Sequence, residues 1–430
     1  MTFKERLQSW KSMSVYLFGK TVFELQNNGI RGVLRGIKRY RSIKKHLSPD
    51  RQRVVLHGQT EYQQFDFVLQ YNPHNAEHTF TPQELDSTTP LTINWVIPDI
   101  KIGSGGHTTL FRLMYLLEEK GHSNRVYVYN KPLPLPYSSG KEIRDIVQKH
   151  FFPLKAEFFL GADPKTVEDS DVLVATSWHT AYPVYAINNT KKKCYLVQDF
   201  EPAFHAMNSE YTFAEATYRM GYSAICAGPW LAKKMKNYGA SATQFQLAYD
   251  RDVYRPLPDI QRKKKQVAFY ARFVTERRGF ELGILALELV QQLRPDIDIV
   301  LFGWDCSNQD IPFEYTNGGV MTPVELAQLY NESTVGLVFS LTNYSLIPQE
   351  MMACSLPVLE YKGENTTAVY DGSDIIALAD PNPHSVAMQI IELIDNADRR
   401  EKQAHKAREW VSQFTWEEAA TIVENAFYEL

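Results

Sequence analysis

From residue 91 to the carboxyl terminus the chain repeats one pattern: a short apolar run, a polar turn, then apolar residues at helical spacing. Runs at 93–97, 126–129, 172–175, 194–198 and 224–227 read as strands, with helical stretches between most of them. Strands alternating with helices build a parallel sheet covered on both faces. A polar stretch at 249–258 and a basic run at 262–265 form a natural linker, after which the pattern restarts. Strands are expected at 267–270, 297–302, 336–339 and 375–379, and helices at 280–294, 323–331, 385–395 and 399–414. The expected class is therefore α/β, with two Rossmann-like domains facing a cleft. Their boundaries fall at 51–255 and 256–412, with a basic helical extension at 1–50. Trp416, Ala420, Val423, Phe427 and Leu430 mark one apolar face of a terminal helix, and residues 413–430 are expected to cross back to the first domain.

A chain of 430 residues with 44% hydrophobic content has room for two packed domains. Its net charge of −4 hides an asymmetry, because residues 1–47 carry eleven Lys/Arg against Glu5 and Glu24. Phe3, Leu7, Trp10, Met13 and Leu17 recur there at helical spacing, which suits an anionic membrane surface. Packing on its own domain or on another subunit is the competing use. No recognition motif accompanies the charge, so nucleic acid is not expected as a partner. Cys194, Cys226, Cys306 and Cys354 are widely spaced and form no CxxC or Cys/His ligand pattern. No zinc site is expected, and a reducing, cytoplasmic setting is, with peripheral attachment to the inner face of the cell membrane as an extension of that reading. No apolar run approaches 18 residues, and the amino terminus lacks a signal-peptide core. Residues 54–56 and 65–69 are strand candidates, and His57, His74 and His78 read as loop residues.

The candidate chemistry sits at strand ends, where ligands of open α/β sheets collect. After the first strand comes a glycine-rich loop, Gly103-Ser104-Gly105-Gly106-His107, leading into a helix. It is neither a GxGxxG fingerprint nor a P-loop, and a tight turn would also explain it. Three further clusters follow later strands: Ser177-Trp178-His179-Thr180, Gln198-Asp199-Phe200-Glu201 and Gly228-Pro229-Trp230. Together they point to a shared cleft. Asp250 and Asp252 form a D-x-D, but at an interdomain connection, where a structural role is expected.

The second domain opens with a strand followed at once by Arg272, Arg277 and Arg278. Arginine presents a planar fork matched to phosphate, so a diphosphate clamp is expected; a solvated turn paired with Glu276 is the bland alternative. Gly303-Trp304 follows the next strand, and Gly318-Gly319-Val320-Met321 comes after it. The stretch 340–358 then runs from a polar turn, through Tyr344, Ser345, Leu346 and Ile347, into a short helix carrying Glu350. Free backbone N–H groups at such a helix start favour a phosphate. A glutamate one turn in can accept hydrogen bonds from a ribose, although a capping glutamate would look the same.

Taken together, the Gly-Gly loop, the arginines before Gly279 and the run Glu350-Met351-Met352-Ala353-Cys354-Ser355-Leu356-Pro357-Val358 resemble a GT-B glycosyltransferase of the retaining family four. Either Arg277 or Arg278 takes the place of that family's lysine. Thr342 stands where the family has a glutamate that contacts the donor sugar. With Asn94-Trp95-Val96-Ile97-Pro98, Gln198-Asp199-Phe200-Glu201-Pro202 and Ala227-Gly228-Pro229-Trp230-Leu231, this departure is similar to WsaF-type rhamnosyltransferases. The resemblance implies transfer of L-rhamnose from dTDP-β-L-rhamnose to a growing, cell-surface glycan, oligosaccharide or lipid-linked, with retention and without metal or cofactor. It implies Arg272, Arg277 and Arg278 on the diphosphate and Asp199 or Glu201 as a base or cation stabiliser. Gly105, Gly106, Gly303, Trp304, Val320, Met321, Tyr344, Ser345, Leu346, Ile347 and Glu350 would bind the donor. His107, Trp178, His179, Gln198, Asp199 and Glu201 would line the acceptor. A UDP- or GDP-sugar donor, and a non-catalytic glycan-binding relic, are the alternatives.

Overall fold

A computed structural model describes residues 63–74, 80–130, 135–370 and 374–429. The basic extension, the candidate strand at 54–56, His57 and His78 lie outside the described residues. The first sheet has seven strands: β1 Thr92–Ile97, β2 Ser123–Val128, β3 Glu157–Leu160, β4 Ser170–Ala175, β5 Thr190–Val197, β6 Ser223–Ala227 and β7 Ala242–Phe245. Their order is β3-β2-β1-β4-β5-β6-β7, and every pairing is parallel. The second sheet has six: β8 Gln266–Tyr270, β9 Asp298–Phe302, β10 Thr316–Gly319, β11 Val335–Leu337, β12 Val358–Tyr361 and β13 Ala377–Ala379. Its order is β10-β9-β8-β11-β12-β13, again all parallel.

Helices cover both faces, so the central strands are apolar on both sides. In β1, Ile93, Trp95, Val96 and Ile97 have no exposed surface, and the buried Asn94 donates its amide N–H to the Glu168 carbonyl at 2.7 Å. Strand order reverses between β1 and β4 in one sheet and between β8 and β11 in the other. Crossover helices leave a crevice at such a switch point. The glycine-rich loop follows β1, the arginine turn follows β8 and the polar turn 340–345 follows β11. Helices Gly105–Glu119, Phe280–Leu293 and Leu346–Ala353 start directly from these loops.

The last helix, Trp416–Glu429, returns to the first sheet. Phe427 has no exposed surface and its ring lies 6.1 Å from that of Trp95. Glu424 bonds Lys120 at 2.8 Å and His122 at 2.9 Å, and Lys192 donates to the Tyr428 carbonyl at 2.7 Å. Apolar packing also runs without a break from the first sheet to Tyr344, Met351 and Tyr370 of the second domain.

One strand expectation is corrected. Residues 65–69 lie in a 3-10 helix, Gln63–Gln70. The alternation Phe65, Phe67, Leu69 does not become one buried face: Phe67 is 2% exposed and Leu69 is 79% exposed. Phe67 alone inserts between Trp178 and Tyr182, at 5.8 and 5.4 Å between ring centroids.

Candidate functional site

On the first domain, Ser104 caps the helix Gly105–Glu119, its hydroxyl accepting from His107 N–H at 3.5 Å. A Cβ added at Gly105 would meet nothing within 4 Å, and one at Gly106 would meet Gln198 and Ser104 only at 3.8 Å. The protein itself therefore makes no demand for glycine there; backbone approach by a ligand would. Gln198 donates to the Gly106 carbonyl at 3.2 Å. His107 is 8% exposed, and burial holds its imidazole down at about 4, so the ring is neutral at pH 7. It bonds the Pro98 carbonyl, and Nε2 is left buried without a protein partner.

Trp178, expected on the acceptor side, belongs instead to the scaffold. Trp178 is 3% exposed, its ring centroid 3.7 Å from that of His179 and edge-on to His205 at 5.8 Å, so its indole packs the core. Glu201 accepts from the Trp178 backbone N–H and from Tyr195 Oη at 2.9 Å. Burial pushes its carboxyl up to about 7, and both bonds fall on Oε2, which braces the helix Trp178–Ala186 against β5. His179 is held down at about 3 by burial and the nearby His205 and Lys101. Asp199 is different. It accepts from Phe200 N–H at 2.9 Å and faces Arg277 Nε of the other domain at 3.3 Å.

On the second domain the three arginines follow β8, and Arg278 reaches the turn that follows β11. Arg272 donates to Thr275 Oγ1 at 3.1 Å and to the Gly303 carbonyl at 3.4 Å, with its guanidinium 5.1 Å from the Trp304 ring. Gly303 has φ +98, and a Cβ there would lie 2.4 Å from the Tyr270 ring, so glycine is required. Arg277 sits 4.3 Å over Phe204 as well as beside Asp199. Arg278 lies 5.6 Å over Tyr270 and donates to Ser340 Oγ at 2.9 Å. Ser340 Oγ in turn meets Ser345 Oγ at 3.0 Å, and Ser345 is the N-cap of the helix Leu346–Ala353 without capping it by its side chain. The first N–H groups of that helix, at Leu346 and Ile347, thus lie beside Arg278. Val320, 72% exposed, and the partly buried Met321 follow β10 at the outer edge.

Tyr344 requires a correction. It is 3% exposed, its hydroxyl accepts from Leu247 N–H at 2.9 Å and donates to Gln246 Oε1 at 3.0 Å, and its ring seats against Gly228. It plugs the two domains together instead of facing a donor. Asn343 does the same, donating to the Gln198 and Ala227 carbonyls at 2.9 and 3.0 Å.

Glu350 lies at the hinge end of the cleft. Burial pushes its carboxyl up to about 7, Tyr254 bonds it, and Oε2 is buried with no protein partner. Arg112 faces it from the glycine-loop helix, 5.1 Å from both the Phe152 and Trp416 rings and 3.5 Å from Asp250. The D-x-D aspartate is thereby an ion-pair partner at the hinge. Sequence reading passed over Arg112 and Tyr254; a lone arginine within the apolar run 110–117 was the available signal. Among the described residues there is no group of three metal-ligating side chains.

Two parallel-sheet domains with crevices at facing switch points define the GT-B architecture. HepE of Anabaena, solved with UDP and glucose, superposes with a TM-score of 0.63 at 14% identity over 79% of this chain and all of that one. Sucrose-phosphate synthase of Thermosynechococcus elongatus does so at 0.59 and 12% identity, over 78% and 97%. Residues 162–227 match the WsaF N-terminal domain and residues 265–391 the WsaF C-terminal domain. Each match falls within one of the two sheet domains. O-antigen biosynthesis protein RfbC of Myxococcus xanthus is 28% identical over 332 residues, 76% of this chain and 26% of that protein. An uncharacterised glycosyltransferase of Methanocaldococcus jannaschii is 30% identical over 88 residues, 20% of this chain and 25% of that protein. The chain thus spans about a quarter of the length of these curated relatives.

Proposed function

We propose that this chain is a glycosyltransferase that moves a sugar from a nucleoside diphosphate donor onto a growing cell-surface polysaccharide. The observation that carries the reading is the placing of three arginines and a helix start without a side-chain cap after the strands of one switch point, and of the open Gly105–Gly106 backbone after a strand of the other. In that reading Arg272, Arg277 and Arg278 neutralise the diphosphate, and the Leu346 and Ile347 N–H groups add hydrogen bonds. The unpartnered Glu350 Oε2 accepts from the ribose, with Trp304 and Met321 beside the base. The bond from the anomeric carbon to the diphosphate oxygen breaks as the acceptor hydroxyl oxygen bonds that carbon on the same face. The hydroxyl proton passes to the leaving phosphate, so configuration is retained and no protein nucleophile is needed. The arginines stabilise the charge gathering on the leaving group, and no metal or cofactor is invoked.

The donor we favour is dTDP-β-L-rhamnose, on the strength of the two WsaF matches. Donors based on UDP are the second reading, favoured by neighbours of the same fold solved with UDP. Calorimetric titration with dTDP, UDP and GDP, then with the tightest carrying its sugar, tests the choice. Preference for dTDP strengthened by rhamnose is the expected result; another base discards the rhamnose, and binding of none discards transfer. Glu350→Gln should weaken the tightest ligand about tenfold without lowering the melting temperature. An unchanged dissociation constant removes the ribose contact.

The basic segment 1–47 is assigned to an anionic membrane surface where a lipid-linked acceptor would lie. Deleting it should abolish co-sedimentation with phosphatidylglycerol vesicles, and equal co-sedimentation would dismiss that role. No described helix is long and apolar enough to cross a membrane.

A further inference from the structure

Glu360 lies in β12 with no exposed surface, and nothing in the mechanism above uses it. A carboxyl group is costly to bury, so what it holds matters. Oε1 accepts from Ser340 N–H at 2.9 Å and from Tyr361 N–H at 3.3 Å, while Oε2 is buried with no hydrogen-bond partner. Ser340 is the first residue of the turn after β11, because β11 and β12 are paired neighbours. The same residue takes the Arg278 hydrogen bond on Oγ and passes contact to the Ser345 cap. Asn365 donates to the Ser340 carbonyl, and the single O–H of Tyr361 lies within reach of both Asn365 Oδ1 and, at 3.2 Å, the Leu341 carbonyl. Every polar group of Ser340 is therefore fixed from β12, from the helix Glu364–Tyr370 or from Arg278.

We propose that Glu360 is a positioning residue: acting through Ser340, it sets the geometry of the turn 340–345 and of Arg278 for a bound diphosphate. This rests on the reading of the cleft as a nucleoside diphosphate site. The arrangement has an electrical side. Burial pushes the Glu360 carboxyl up to about 8, with Arg278 pulling the other way. The groups facing it are Arg278 on the turn Glu276–Arg278, Tyr361 on its own strand and Tyr370 on the helix beyond. Asp199, across the domain interface, is the next charge and acts on Arg277 and Arg278. Below about pH 8 Glu360 is neutral and the Arg278 charge is free for a phosphate. Above it the carboxylate forms, competes for Arg278 and repels the ligand.

The test is the dissociation constant of the preferred nucleoside diphosphate against pH, for wild type, Glu360→Gln and Glu360→Ala. The glutamine keeps an oxygen for Ser340 N–H but carries no charge. Relative to Glu360→Gln, wild-type affinity should fall about tenfold between pH 7 and pH 9. Glu360→Ala should weaken the nucleoside diphosphate at every pH and leave the parent nucleoside unchanged. Parallel profiles for wild type and Glu360→Gln, or an alanine variant that weakens nucleoside and diphosphate alike, would overturn the role. A wild-type protein that binds no nucleoside diphosphate overturns the functional reading itself, and this role with it.

Discussion

Replacing Arg272 with alanine is expected to lower the rate of sugar transfer by about 100- to 1,000-fold while leaving the fold in place. The argument lies in what Arg272 touches. Among the described residues its partners are the Thr275 hydroxyl, the Gly303 carbonyl and the face of Trp304. None is a carboxylate, whereas Arg277 is paired with Asp199. A guanidinium aimed into a switch-point crevice with neutral partners alone keeps its charge for an anion. Its protein contacts are one good hydrogen bond, one long one and a ring contact, so removal costs folding about 1 kcal/mol. Loss should therefore appear in turnover and diphosphate affinity, with the melting temperature little changed. Arg272→Lys should recover only part of the rate, because a point charge cannot reproduce the planar fork. Near wild-type transfer by the alanine variant would take Arg272 out of the clamp.

The features legible in the sequence were those set by local pattern. Alternating apolar runs and helical faces mark the central strands of both sheets, which are buried on two faces; the edge strands β3, β7 and β10 are not, and the sequence pattern does not mark them. Switch-point loops were legible too, because a glycine-rich loop directly follows the β1 run and three arginines follow the β8 run. What escaped was set by pairing across the chain. Glu360 reads as an interrupted apolar strand until β12 is known to lie beside β11, which brings it under Ser340. Arg112 reads as one charge on an apolar helix until the linker and the terminal helix supply Asp250 and Trp416. Tyr344 shows the opposite failure. Its place in the polar turn pointed to a ligand, but the domains close on it and its hydroxyl is consumed by residues 246 and 247. Phe65, Phe67 and Leu69 alternate like a strand, yet in the 3-10 helix Phe67 is buried, Phe65 packs partly buried on Phe213 and Leu69 is exposed.

Phe427→Ala is expected to produce the largest loss of stability, about 3–5 kcal/mol. Phe427 has no exposed surface, and its ring packs edge-on to Trp95 at the centre of β1. The cavity cannot close easily, because Trp95 is itself pinned by its indole N–H donating to Asn124 Oδ1 at 2.7 Å. A calorimetric scan should show the transition of the first domain moving to lower temperature ahead of the second. An unshifted transition would mean that the returning helix docks without bearing on the first sheet. The same helix carries Trp416, whose ring supports Arg112 opposite Glu350. Loosening it should therefore also weaken nucleotide binding at temperatures where both sheets remain folded. Stability of the first domain and order at the hinge end of the cleft are thus tied to one element, the terminal helix, which joins the second domain back to the first.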